Sequence, residues 1–92
     1  MQRFAKIFEG HGRQILFRVD ENSDGDPAVL MEVMDDEGAS VTLGVANNEA
    51  EDPKQWAMDA LDLITADQAM GILARLEGKT TAFEIAAALQ EG

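Results

Sequence analysis

The side chains of this chain that could do chemistry are mostly carboxylates, and most of these lie in one stretch. Eleven Asp and Glu residues fall between positions 20 and 52, with no Lys or Arg among them. They are Asp20, Glu21, Asp24, Asp26, Glu32, Asp35, Asp36, Glu37, Glu49, Glu51 and Asp52. Carboxylates in such numbers can ligate a hard cation, or they can bind the Lys and Arg side chains of a partner.

The charge of this stretch equals the net charge of the whole chain, which is −11. Residues 1–19 carry +3 and residues 53–92 carry −3, so the two flanks cancel. Apolar runs interrupt the acids, which distinguishes the stretch from a disordered acidic tail. Acids with no base among them cannot be neutralised locally and repel one another. We therefore interpret them as a functional acidic surface, with a merely solvated face as the alternative.

The segment from Asp20 to Asp26 resembles the first half of a calcium loop. Asp20, Asn22, Asp24 and Gly25 occupy positions one, three, five and six of that motif. Position twelve, where a bidentate Glu is needed, is Met31. A calcium-binding module therefore stays an alternative, and an Asx-rich turn competes with it. Its candidate ligands are Asp20, Asn22, Asp24, Asp26 and Glu32.

No constellation for covalent catalysis is present in the sequence. His11 is the single histidine, cysteine is absent, and serine occurs only at positions 23 and 40. Nucleophilic catalysis and zinc sites need partners that these residues do not supply. We expect a protein that is not an enzyme and needs no cofactor or resident metal.

Other function classes are disfavoured by composition. A net charge of −11 opposes binding to free duplex DNA, whose phosphates need cationic contacts. The segment from Thr81 to Leu89 resembles the first helix of a helix-turn-helix, but no basic recognition helix follows it. No apolar run reaches the length of a membrane span, and no signal peptide is apparent. We expect a cytoplasmic protein with one domain over residues 1–92.

Hydrophobic alternation predicts four strands, over residues 2–9, 13–19, 28–34 and 39–45. A polar loop over residues 46–52 then separates the sheet from the helices. Asp52 before Pro53 predicts a helix start, and the pairs Thr65/Gln68 and Thr81/Glu84 predict two capping boxes. The expected fold class is α+β. It has a four-stranded antiparallel sheet in residues 1–45, and two or three C-terminal helices in residues 53–91 pack on one face.

The same patterns predict which side chains form the core, because apolar residues on one face of each strand and helix should meet there. The candidates are Phe4, Ile15, Phe17, Val19, Val29, Met31, Val33, Val41, Leu43, Val45, Trp56, Ile64, Leu73, Leu76, Phe83 and Leu89.

The chain resembles the anti-CRISPR proteins, a class of phage proteins that are small, acidic and built from strands leading into helices. The segment Arg13-Gln-Ile-Leu-Phe-Arg-Val-Asp20 and the loop Asp24-Gly-Asp-Pro27 are similar to phage-encoded inhibitors of the type I-F surveillance complex. The resemblance implies a non-enzymatic inhibitor, acting in the cytoplasm of a bacterial host. Such proteins bind the guide-RNA complex and block target DNA. Some mimic DNA with carboxylates, and others wedge against the backbone subunits and contact the guide RNA.

The resemblance also implies which residues meet the partner. The acidic set is Asp20, Glu21, Asp24, Asp26, Asp35, Asp36, Glu37, Glu49, Glu51 and Asp52, which would occupy Lys and Arg sites that normally hold phosphates. A basic set, Arg3, Lys6, Arg13 and Arg18, could contact guide RNA or an acidic patch. An acidic adaptor with a basic protein partner, unrelated to CRISPR, stays open as an alternative.

Overall fold

Four consecutive strands form one antiparallel sheet, and three helices follow it. The computed structural model describes residues 4–90, so the predictions at residues 2, 3 and 91 lie outside the described range. The strand order β1-β2-β3-β4 is the order of the sequence. The predicted α+β fold is therefore confirmed. The elements are β1 (Ala5–Gly10), β2 (Arg13–Glu21), β3 (Pro27–Met34), β4 (Ser40–Val45), α1 (Pro53–Leu63), α2 (Ala66–Arg75) and α3 (Ala82–Gln90).

The β1–β2 hairpin closes through a two-residue turn, His11 and Gly12. Both residues have positive φ, 54° and 74° respectively. Two positive φ values in a two-residue loop define the turn whose twist matches that of the flanking strands. Gly12 adopts this conformation without steric cost, whereas His11 is strained by its Cβ.

The strand register gathers apolar side chains on one face of the sheet. Ile15 pairs with Val33, and Val33 pairs with Val41, so one row crosses three strands. The next row is Phe17, Met31 and Leu43. Val41 is buried and Leu43 is half-buried, which confirms the prediction that these residues of the fourth strand face the core.

Side-chain caps start the helices where the sequence predicts. Asp52 Oδ1 accepts a hydrogen bond from the backbone N–H of Gln55 at 3.1 Å, directly before the proline that opens α1. Thr65 and Gln68 exchange both bonds of the predicted capping box at the start of α2. Thr81 also accepts from the N–H of Glu84, but the Glu84 carboxylate accepts from the Thr81 hydroxyl instead of the backbone. The second capping box is therefore only half formed.

The helices pack on the face that carries Ile15 and Val33. Their contribution to the buried core is Leu61, Ala69, Leu73, Leu76, Ile85 and Leu89. Phe8 and Phe17 meet edge to face beneath them, with ring centroids 6.0 Å apart. Within the described residues, no helix is long and apolar enough to cross a bilayer.

Three predicted core residues are exposed, so these predictions are wrong. Phe4 precedes β1, and Val45 is the last residue of the edge strand β4. Phe83 is 89% exposed. It lies two positions before the buried Ile85, which places it about 200° around the helix axis from that residue. Val19, Met31, Leu43, Trp56 and Ile64 are only half-buried.

The opposite face of the sheet has a different character. Ile7, Glu9, Gln14 and Met34 are exposed there, and Leu16, Arg18 and Glu32 are half-buried. Ala28 and Leu30 are exceptions, because both side chains are buried on this face. Leu30 Cδ2 lies over Gly44, where a Cβ would approach it to 2.8 Å. One face of the sheet thus forms the core, and the other carries mixed apolar and charged side chains at the surface.

Candidate partner-binding surface

The acidic stretch, continuous in sequence, divides between the two ends of the sheet. The loops at residues 22–26 and 46–52 lie at one end, because β2 and β4 finish there and β3 begins there. The turn at residues 35–39 lies at the other end. The eight residues of β3 separate the two ends by roughly 23 Å, at about 3.3 Å per residue. Apart from Glu32, which lies within β3, the carboxylates therefore form two groups rather than one surface.

The first group occupies the end of β2 and the loop after it, residues 20–26, together with the loop at residues 47–52. We name these two segments the acidic loop pair. Asn48 Nδ2 donates to Asp26 Oδ2 at 3.1 Å and joins the loops. Asn22 Oδ1 accepts from the N–H groups of Asp24 and Asp26, at 2.9 and 3.0 Å. Asn47 Oδ1 accepts from the N–H of Glu49 at 3.1 Å. Amide side chains thus hold the backbone of both loops.

Four carboxylates of the acidic loop pair point to solvent. Glu21, Asp24, Glu49 and Glu51 are exposed, and within residues 4–90 their carboxylates make no hydrogen bond or ion pair. The other three carboxylates have partners inside the protein. Arg18 donates to Asp20 Oδ2 at 2.6 Å, Asn48 donates to Asp26, and Asp52 caps α1.

The second group, the turn that follows β3, is largely structural. Asp35 Oδ1 accepts from the N–H groups of Glu37 and Ala39, at 2.9 and 2.8 Å. Its other oxygen accepts from the N–H of Ala82 at 3.1 Å and so anchors the start of α3. Asp36 Oδ1 accepts from Arg13 at 3.0 Å. Of the three acids predicted to meet a partner here, Glu37 alone has its carboxylate outside this set of contacts.

Bases from β2 neutralise part of the acidic stretch, contrary to our expectation. Arg18 lies 2.6 Å from Asp20 and 3.6 Å from Glu32, and Arg13 pairs with Asp36. We expected no local neutralisation because no base lies within the acidic stretch of the sequence. Antiparallel pairing, however, places the bases of β2 beside β3. The unneutralised charge is therefore concentrated on the acidic loop pair.

The predicted basic set is engaged within the fold, as far as it is described. Lys6 Nζ donates to the carbonyl oxygens of Asp62 and Ile64, both at 3.0 Å, at the C-terminal end of α1. The side chain of Arg13 is only 14% exposed and also donates to the carbonyl of Lys79 at 2.8 Å. Arg3 lies outside the described residues. A contact of Lys6, Arg13 or Arg18 with guide RNA would require giving up these internal bonds.

The candidate calcium ligands do not converge. Asn22 Oδ1 is committed to its own loop, Asp20 is paired with Arg18, and Glu32 lies within β3 on the sheet. Residues 4–90 hold no group of three or more acidic or histidine side chains arranged around a metal position. The geometry matches the Asx-rich turn and not the calcium loop.

The single histidine has a structural contact. Its Nδ1 lies 3.0 Å from Glu77 Oε1, and both groups are open to solvent. This pair joins the first hairpin to the end of α2.

No family model, curated protein or solved structure matches this chain. The resemblance to anti-CRISPR proteins therefore stays a prediction.

Sequence reasoning missed the exposed apolar side chains of the uncovered face, among them Ile7 and Met34. The signal was present, since Ile7 and Leu16 have the opposite parity to the core residues of their strands. The alternation along a strand shows which side of the sheet a residue lies on, but not whether helices cover that side. These residues were therefore not identified as a surface.

Proposed function

We propose that this protein is a non-enzymatic inhibitor that occupies a positively charged nucleic-acid-binding site on its partner. The partner we propose is the guide-RNA surveillance complex of a type I-F CRISPR system in the bacterial cytoplasm. The observation that carries the proposal is the acidic loop pair. It holds four exposed carboxylates, those of Glu21, Asp24, Glu49 and Glu51, which have no partner within residues 4–90 and lie at one end of the sheet.

The geometry of the acidic loop pair supports binding to Lys and Arg side chains. Carboxylate oxygens accept the same N–H donors that bind phosphate. Because Asn22 and Asn48 already fix the loops by hydrogen bonds, less conformational freedom is lost on binding. The net charge of −11 would also accelerate association with a basic site.

The choice of partner rests on the sequence resemblance in residues 13–20 and 24–27. The second segment belongs to the acidic loop pair, whereas Arg13 and Arg18 in the first are held by Asp36 and Asp20. We therefore assign the contact with the partner to the carboxylates, with backbone subunits of the complex as their target. Contact with guide RNA is secondary in this proposal.

Target-DNA binding by the purified surveillance complex tests the proposal. The test variant combines Asp24→Asn, Glu49→Gln and Glu51→Gln, which leaves the hydrogen bonds of Asp20, Asp26 and Asp52 intact. The matched control combines Glu37→Gln, Asp67→Asn and Glu77→Gln, and has the same net charge. We expect the test variant to need at least about tenfold more protein for half-inhibition, and the control less than about threefold.

Two results would contradict the proposal. Equal inhibition by both variants would show that total charge, and not the acidic loop pair, determines binding. Failure of the wild-type protein to inhibit target-DNA binding would contradict the assignment to the type I-F complex.

A further inference from the structure

The uncovered face of the sheet contains a depression with an apolar floor and a volume of about 600 Å³. It lies near the β1–β2 turn and spans the first three strands. Ile7 pairs directly with Leu16 across the first two strands, and Met34 lies at the end of β3. Ile7 and Met34 are 61% and 52% exposed. Exposed large apolar residues that share one concavity indicate a contact site more strongly than scattered ones do.

The rim of this depression is acidic. Its charged lining consists of four carboxylates, those of Glu9, Glu32, Asp35 and Asp36, and one guanidinium, that of Arg13. The formal charge of the lining is therefore −3. Arg13 pairs with Asp36, and Arg18 lies 3.6 Å from Glu32. The Asp35 carboxylate accepts backbone N–H groups. Within residues 4–90, the Glu9 carboxylate receives the amide N–H of Gln14 at 3.1 Å and has no cationic partner. The depression thus combines an apolar floor with a net negative lining, in which the Glu9 carboxylate is not neutralised by a cation of the described residues.

We infer that this depression is a docking site for a basic amphipathic segment of a partner protein. The apolar side of the segment covers Ile7, Leu16 and Met34, and its Lys or Arg side chains pair with Glu9. The charge selects this occupant. A second copy of this chain would bring a charge of −11 against the same acidic rim, and nucleic acid would bring phosphates. Burying apolar area together with these pairings gives both affinity and orientation.

This site is distinct from the acidic loop pair and does not depend on the function proposed above. The depression lies towards the β1–β2 turn, and the acidic loop pair lies at the opposite end of the sheet. Substitutions at one site therefore leave the other unchanged, so the two proposals can fail separately.

The test uses a synthetic helical peptide of about 18 residues with a Leu face and Lys elsewhere, long enough to form a helix. Binding is followed by fluorescence anisotropy at physiological salt, and the site is mapped by amide chemical-shift changes. We expect shifts at Ile7, Leu16 and Met34. The double variant Ile7→Thr with Met34→Gln should weaken binding about tenfold at unchanged net charge. Leu63→Gln, at another exposed apolar position, should not.

Charge is tested in the same assay. Glu9→Gln should weaken binding measurably, whereas Glu37→Gln, which removes a carboxylate outside the lining, should have no comparable effect. A second peptide keeps the Lys residues and replaces Leu by Ser, and we expect it to bind at least about tenfold more weakly.

Several outcomes would overturn the inference. Equal binding of the Leu and Ser peptides would show an electrostatic association without a site. Shifts confined to the acidic loop pair would place the peptide elsewhere. Chemical-shift changes at Ile7, Leu16 and Met34 on addition of a short DNA duplex without the peptide would identify a different ligand class. Self-association that the Ile7→Thr and Met34→Gln double variant abolishes would identify a second copy as the occupant.

Discussion

Asp35 and Ala82, which lie 47 positions apart in sequence, are joined by a hydrogen bond of 3.1 Å from the Ala82 N–H to Asp35 Oδ2. The bond satisfies a backbone donor in the first turn of α3, where no carbonyl of the same helix is available. The last helix is thereby attached to the β3–β4 turn. The carboxylate that the sequence assigned to a partner is used inside the protein.

Replacing Asp35 by Ala should therefore lower the free energy of unfolding by about 2 kcal/mol, since three backbone donors lose their acceptor. Chemical denaturation measures the change. Glu37→Ala in the same turn is the control, and it should stay within about 0.5 kcal/mol of wild type. A loss of equal size in both variants would contradict the anchoring role of Asp35. Charge reversals intended to test binding should avoid this position.

Lys6 should stabilise the end of α1. Its Nζ donates to the carbonyl oxygens of Asp62 and Ile64 at the C-terminal end of α1, and its charge is favourable at a helix C-terminus. Lys6→Met keeps the apolar stem and removes the donor, so we expect a loss of about 1 kcal/mol in unfolding free energy. Lys54→Met is the matched control, because the exposed Lys54 loses the same charge. Its Nζ lies 5.8 Å from the centroid of the Phe4 ring. Equal losses would argue against the capping role.

The turn conformation of His11 predicts opposite effects for two substitutions. At φ 54° a β-branched residue is strongly disfavoured, so His11→Val should cost about 1–2 kcal/mol. His11→Gly relieves the strain but loses the exposed contact with Glu77, so its stability should stay close to that of wild type. Urea denaturation of both variants measures the difference. Equal stability of the two would mean that the turn has another conformation.

The acidic loop pair should reduce stability at low salt, because its exposed carboxylates repel one another. The variant with Asp24→Asn, Glu49→Gln and Glu51→Gln should melt at a higher temperature than wild type in dilute buffer. Adding salt should reduce the difference, since the Debye length shortens from about 30 Å at 0.01 M to about 10 Å at 0.1 M. Thermal denaturation across a salt series checks this. If the variant melted at a lower temperature than wild type in dilute buffer, these carboxylates would have stabilising partners.

Local patterns in the sequence identify the elements of this fold. The alternation of Val41 and Leu43 marks β4, and the bonds of Asp52 and Thr65 start two helices at the predicted positions. These features are predictable because neighbours within four residues determine them. The exposed side of α3 depends instead on where the helix docks, which is why Phe83 was placed in the core incorrectly.

The candidate site is less predictable, because the environment of each carboxylate depends on distant residues. Asp35 and Glu37 are two residues apart, yet only the first meets the start of α3. Arg18 reaches Glu32 because β2 pairs with β3, and sequence spacing does not reveal this. A run of acids in sequence is therefore not equivalent to an acidic surface in space.

The meander order of the strands has a consequence for how the chain folds during synthesis. Every strand pairs with its sequence neighbour, so the hairpins close small loops and form quickly. The apolar face of the sheet, however, stays open until residues 53–90 emerge and supply the three helices. During that interval an uncovered sheet with two free edges is prone to aggregation. Like charges at both ends of the sheet oppose the stacking of nascent chains. The carboxylates thereby reduce aggregation before the helices cover the core.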